Sequence, residues 1–250
     1  MAKKSNTQNF FLNFIDIFCG AGGFSCGLEQ AGHKCLLGVD NDKYAIETFK
    51  LNHPKAQSFY GDISKLKGQK LKSLLKQKKV DLIVGGPPCQ GFSTVGLGNP
   101  NDERNSLFRE FLRLVRLIKP TYVVIENVTG LFAKKNESTL QSIFQSFRRL
   151  GYNIDARVLS AQHYGVPEKR RRSIFVGTRV NTLIEFPPFS HDKESRGQYI
   201  PYKNVGDFIF DLKDSQGKVY NHDVDQAKVK SKIDYQRLKR IPEGKGIRYE

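Results

Sequence analysis

One unit recurs along the 250-residue chain: a short apolar run that stops at a glycine or an acid, then a stretch with apolar residues at helical spacing. Phe14-Ile15-Asp16-Ile17-Phe18 stops at a glycine cluster, and residues 23–32 have helical spacing. Residues 35–39 form a second such run, ending at Asp40, with a helix over 44–51. Residues 80–84 lead into Gly85-Gly86-Pro87-Pro88, and a helix follows over 106–118. Residues 122–125 end at Glu126, a helix covers 140–150, and 173–176 is a late strand. Strands of four or five apolar residues alternating with helices imply a parallel sheet covered on both faces. The fold class is therefore α/β: a Rossmann-like, doubly wound, mostly parallel sheet. In such sheets ligands bind beyond the carboxyl ends of the strands.

Charge narrows the partners. Lys and Arg number 41 against 25 Asp and Glu, a net charge of +16, which favours a polyanion, most often nucleic acid. Lysines crowd residues 65–79, but Leu66, Leu71, Leu74 and Leu75 can form a buried stripe, so they read as the solvated face of a helix. No apolar run approaches the ~18–20 residues of a membrane span. The polar N-terminus carries no signal-peptide core. The four cysteines (Cys19, Cys26, Cys35, Cys89) form no CxxC pair, so a disulfide scaffold and a structural zinc are not expected. A reducing cytoplasmic setting follows.

Two loops carry the chemistry. Residues 18–23 (Phe-Cys-Gly-Ala-Gly-Gly) follow a strand and open a helix, where glycines let a ligand lie against the backbone. Ser25 replaces the third glycine of the dinucleotide fingerprint. Asp40 ends the next strand, as a carboxylate for ribose hydroxyls would. Asp62 follows the third strand and can accept from an adenine amino group. Each acid could instead cap a helix. Together they suggest an adenosine-containing ligand without a pyrophosphate.

The second loop, residues 85–93, presents Cys89 between two prolines and glycines at a strand's end, a setting for a nucleophile rather than a core thiol. Glu126 ends the neighbouring strand, where a carboxylic acid can protonate a ring nitrogen while a thiolate attacks the ring. Alone it reads as a cap or surface acid. Residues 162–172 are strongly basic: a solvated loop or a phosphate clamp. His163 reads as structural.

Phe14-Ile15-Asp16-Ile17-Phe18-Cys19-Gly20-Ala21-Gly22-Gly23-Phe24 with Gly86-Pro87-Pro88-Cys89-Gln90-Gly91-Phe92-Ser93 resembles the cytosine-C5 DNA methyltransferase family. Glu126-Asn127-Val128 and Tyr164-Gly165-Val166-Pro167-Glu168-Lys169-Arg170-Arg171-Arg172 match two further motifs in the family's order. The resemblance implies S-adenosylmethionine as methyl donor, S-adenosylhomocysteine as product, no metal, and double-stranded DNA with a flipped cytosine as substrate. It implies cofactor contacts at Phe18, Gly20, Gly22, Gly23, Asp40, Asn41, Asp62, Ile63 and Pro87. Cys89 would attack C6 and Glu126 would assist at N3. Arg172 would contact the target base or its phosphate and Arg170 would support the catalytic loop; Gln90 and Ser93 would belong to the loop that closes on DNA. Glu168 stands where the family usually has Gln, and an internal ion pair is expected there.

The resemblance divides the chain into a tail (1–12), a catalytic and cofactor-binding domain (13–190) and an extension (191–250). It leads toward a target-recognition domain and two last motifs absent here, as in a split enzyme with a second polypeptide. A truncated piece, or a chain acting alone, are the alternatives. The expected setting is bacterial restriction-modification. A noncatalytic DNA- or partner-binding homologue and a tRNA cytosine-C5 methyltransferase are the competing functions.

Overall fold

The computed structural model describes residues 11–88, 106–194, 197–209 and 231–242. Seven strands form one sheet: β1 (Asn13–Ile17), β2 (Lys34–Asp40), β3 (Gln57–Tyr60), β4 (Leu82–Gly85), β5 (Tyr122–Val128), β6 (Asn153–Ser160) and β7 (Arg171–Thr178). Their order is β3-β2-β1-β4-β5-β7-β6. β1 to β5 pair in parallel, and β7 runs antiparallel to both β5 and β6. The chain steps outward from β1 to β3 and then returns to β4, so the order reverses between β1 and β4. That reversal opens a crevice at the carboxyl edge.

The apolar runs are buried because helices cover both faces. α1 (Gly23–Gln30) and α2 (Lys43–Asn52) close one face, where Ile46 and Phe49 meet Phe14, Cys35 and Val84. α3 (Gly68–Leu75), α4 (Ser106–Ile118) and α5 (Glu137–Arg149) close the other, packing Leu71, Phe111, Leu114 and Phe147 with Ile15, Ile17 and Ile83. Neighbours along β1 thus face opposite cores, and Asp16 is buried on the α1–α2 side. Gly85 ends β4 so close to β1 that a Cβ would collide with the Ile17 carbonyl oxygen.

One expectation needs correction. The lysine-rich helix over 65–79 is shorter: a 3₁₀ turn (Ile63–Lys65) precedes α3, and Lys76 and Gln77, at φ +48° and +59°, end it. Its leucines Leu66, Leu71 and Leu75 are buried and its lysines exposed. The sheet is mostly parallel, as expected; residues 161–170 between β6 and β7 are too few for a helical crossover and make the antiparallel return. β6 itself goes unread in the sequence. It is an edge strand whose only fully buried side chain is Ile154, with Asp155 and Arg157 breaking any apolar run.

Past β7 a two-stranded ribbon, β8 (His191–Asp192) and β9 (Ile200–Pro201), lies against the turn at 161–164. His163 stacks on Phe189 at 4.5 Å and its Nδ1 meets the Tyr202 hydroxyl at 3.1 Å, a structural role. Short helices follow at α6 (Gly206–Ile209) and α7 (Lys232–Lys239). No described helix is long and apolar enough to cross a membrane.

Candidate active site

Beyond β1 the backbone turns through left-handed conformations at Phe18, Gly20 and Gly22 (φ +64°, +55° and +92°). Phe18 and Cys19 donate their amides to Val39 O, and Gly20 donates to Asp40 Oδ2 at 2.8 Å. Asp40 Oδ1 accepts from the Asp42 amide at 2.9 Å. Asp40 therefore ties the glycine loop to the end of β2, while Asp42 caps α2 through Ala45 N at 2.9 Å. Asn41 is exposed between them.

α1 begins at Gly22, which has no side chain to cap it. Asp16 takes that place from inside β1: its carboxylate accepts from Ser25 Oγ at 2.7 Å and from the Ser25 amide. Burial pushes its pKa up to about 7 against these hydrogen bonds and the nearby His53. The first-turn amides of Gly23 and Phe24 have no acceptor among the described residues, so the helix start presents two free donors at the crevice. Cys19 and Cys35 are buried; burial raises both thiols, Cys35 to about 12, so neither is a nucleophile at neutral pH.

Two residues that sequence reasoning missed hold the loop from behind. Asn52 Nδ2 donates to Ala21 O at 3.0 Å, and His53 Nε2 lies 3.0 Å from Gly22 O. His53 Nδ1 meets Glu29 Oε2 at 2.7 Å, and the ring lies tilted against Phe49, with centroids 4.6 Å apart. The available signal was the polar Asn52-His53 pair ending an amphipathic helix.

Asp62 uses Oδ1 to accept from the Ser64 amide at 2.8 Å, capping the 3₁₀ turn, and that bond holds its carboxyl below the usual range. Ile63 turns its side chain into the core, and its carbonyl accepts from Arg113 Nη2 at 3.0 Å. A ligand at this position would meet the backbone and the exposed Asp62 carboxylate, not the isoleucine side chain.

The second group gathers across β4, β5 and β7. Arg172 pairs with Val128 in the antiparallel register, so its side chain lies diagonally beside Glu126 on one face. Arg172 Nε donates to Glu126 Oε1 at 2.7 Å, and Arg170 Nη2 stands 3.5 Å from the same oxygen. Arg170 Nη1 also reaches Glu168 Oε1 at 4.0 Å, the internal pair the sequence suggested. Glu126 Oε2 faces Gly86. Pro87 is buried, and its carbonyl accepts from Asn127 Nδ2 at 3.0 Å, which fixes the start of the loop beyond β4 against β5. Arg172, expected on the base or phosphate, is engaged with Glu126 here. Cys89, Gln90 and Ser93 lie outside the described residues. No cluster of three potential metal-binding side chains occurs among the described residues.

A glycine turn at the end of β1, acids after β2 and β3, and this strand order define the fold of S-adenosylmethionine-dependent methyltransferases, and solved structures agree. A putative DNA modification methyltransferase from an Escherichia coli prophage superposes with a TM-score of 0.59 at 36% identity, over 67% of this chain and 46% of that one. Residues 12–248 match the family described as C-5 cytosine-specific DNA methylase, and the chain belongs to that family. The Type II methyltransferase M1.HphI of Haemophilus parahaemolyticus is 40% identical over 201 residues, 79% of this chain and 52% of that protein. The Type II methyltransferase M.AquIA of Picosynechococcus is 34% identical over 217 residues, 79% of this chain and 88% of that protein. The chain thus spans about half the length of M1.HphI and most of that of M.AquIA.

Proposed function

We propose that the chain carries the catalytic part of a DNA cytosine-C5 methyltransferase, with S-adenosylmethionine in the crevice between β1 and β4. The observation that carries this reading is the Glu126 carboxylate, held on one oxygen by Arg172 and Arg170 with the other toward Gly86, at the mouth of the loop that leads to Cys89. The residues present fit the cofactor: free amides at the start of α1 suit its carboxylate, and the Asp40 carboxylate at the end of β2, bonded to the glycine loop, suits its ribose hydroxyls. The bound cofactor supplies an electrophilic methyl group.

The chain's own groups do the rest. With a cytosine flipped from the duplex, the Cys89 thiolate adds to C6. Glu126 hydrogen-bonds at N3 and delivers the proton that receives the ring's displaced electrons. Electron density returned to C5 takes the methyl group, loss of the C5 proton to a base expels the thiolate, and N3 returns its proton to Glu126 to restore the ring. Arg172 and Arg170 keep Glu126 aimed during these steps.

The proposal includes a second polypeptide that supplies target recognition. Supporting it, Phe208, Ile209, Ile233 and Tyr235 stand exposed in the extension beyond β9.

The test is transfer of labelled methyl from S-adenosylmethionine to mixed-sequence duplex DNA, by the chain alone and with the product of the adjoining reading frame, beside Cys89→Ser. Label at cytosine C5 that disappears in the variant supports the reading. Absence of label under both conditions, or label that survives Cys89→Ser, overturns it.

A further inference from the structure

Behind the glycine loop, at the far side from the crevice, the end of α2 offers two adjacent donors to two adjacent carbonyls: Asn52 to Ala21 O and His53 to Gly22 O, each at 3.0 Å. Gly22 sits at φ +92° and is buried; a Cβ there would collide with the His53 ring, so glycine and histidine are shaped to one another. Gly22 O already accepts the Cys26 amide at 2.8 Å, the first bond inside α1. The His53 contact is therefore a second bond on the carbonyl that sets where α1 starts.

The ring cannot swing away. It is 3% exposed, lies against Phe49, and is fixed at Nδ1 by Glu29, which comes from the last turn of α1. Phe49 in turn fills the space over Gly38 of β2, where a Cβ would collide with its ring. Glu29 and Gly22 are both acceptors, so the ring bridges the two ends of α1. A carbonyl oxygen can only accept, so Nε2 donates to Gly22 O.

We propose that His53, braced by Glu29, is a positioning residue for the cofactor: it holds the Gly22 carbonyl to the rear so that the Gly23 amide of the same peptide unit faces the crevice, while Asn52 holds the Ala21 carbonyl and with it the Gly22 amide, which donates to Cys19 O at 2.9 Å. Each peptide unit has a fixed plane, so a carbonyl drawn backward turns the following N–H forward. The pair touches no reacting atom. The cofactor part of this inference rests on the function proposed above; the loop part does not.

The experiment compares full-length wild type with His53→Leu, which fills the space without a donor, and His53→Gln, whose amide nitrogen can stand near the lost Nε2. Amide hydrogen exchange over residues 18–25 is read without ligand, and S-adenosylhomocysteine affinity is read by calorimetry. His53→Leu should exchange faster in this segment alone and bind about 5- to 30-fold more weakly; His53→Gln should recover most of both. Should His53→Leu not fold, Glu29→Ala, which removes the brace on Nδ1, replaces it with about a threefold loss expected. Unchanged exchange and affinity in His53→Leu, or in Glu29→Ala where it stands in, overturn the proposal, as does equal impairment of Leu and Gln variants. If wild type binds no S-adenosylhomocysteine, the cofactor reading fails, and the exchange pattern alone still decides whether the clamp exists.

Discussion

The two halves of the crevice are secured differently. The loop after β1 is fixed by backbone bonds to Val39, by buried Asp16 and His53, and by the shape of Gly22 against an aromatic shell. The centre around Glu126 is secured by charge: a carboxylate 29% exposed, with arginines 29% and 47% exposed, tied to the next loop through Asn127. The glycine side is specified by packing at Gly22, where an added Cβ would collide with the His53 ring. The glutamate side is specified by direction and tolerates water. A rigid half suits a ligand bound the same way in every turnover, while a charge-held half can re-pair when an anionic strand arrives.

Substitutions can break this contrast. The largest expected effect is Glu126→Gln, which keeps the shape but removes the charge facing Arg172 and the transferable proton. Methyl transfer should fall by about 10²- to 10⁴-fold with folding intact; a transfer assay beside a thermal melt checks both. Gly85→Ala should do the reverse, harming the fold first, by about 2–4 kcal/mol in urea unfolding, because the Ile17 carbonyl cannot move out of the sheet. A variant as stable as wild type would show that the packed half gives more than its geometry suggests.

Asp16→Asn gives the smallest and most diagnostic change. In the native state Asp16 keeps its proton until about pH 7, whereas the unfolded chain loses it in the ordinary carboxylate range. The unfolded state thus holds fewer protons across that window, and stability falls as pH rises through it. Asparagine can still accept from Ser25 but does not titrate. It should gain on wild type between pH 5 and pH 8, by on the order of 1–3 kcal/mol. Melts at the two pH values check this, and a pH-independent difference would refute the burial argument.

What the sequence discloses follows from what is local. β1, β4 and β5 are legible because a strand buried on both faces must be an apolar run. Asp40 and Asp62 are legible as acids just past strands, but whether each is a cap or a ligand group depends on amides that the sequence does not place. Asp62 is a cap on one oxygen, whereas Asp40 leaves capping to Asp42. The Glu126–Arg172 contact joins residues 46 apart, and its geometry comes from a strand direction that no local pattern encodes. Glu29 and His53, 24 apart, are equally hidden, each an ordinary polar residue on its own helix.

The reversed direction of β7 has a topological consequence. In a parallel strand the rim receives the last residue; in β7 it receives the first, Arg171 and Arg172. Register with β5 and β6 therefore fixes Arg171 and Arg172 at the rim, while Arg170 stands just outside, at the end of the connector 161–170. An insertion in that connector would move Arg170 and leave Arg172 beside Glu126, and a circular permutation opened there would cut the covalent link to β6 while leaving β7 paired with β5. One arginine on Glu126 is thus set by the sheet and the other by a loop.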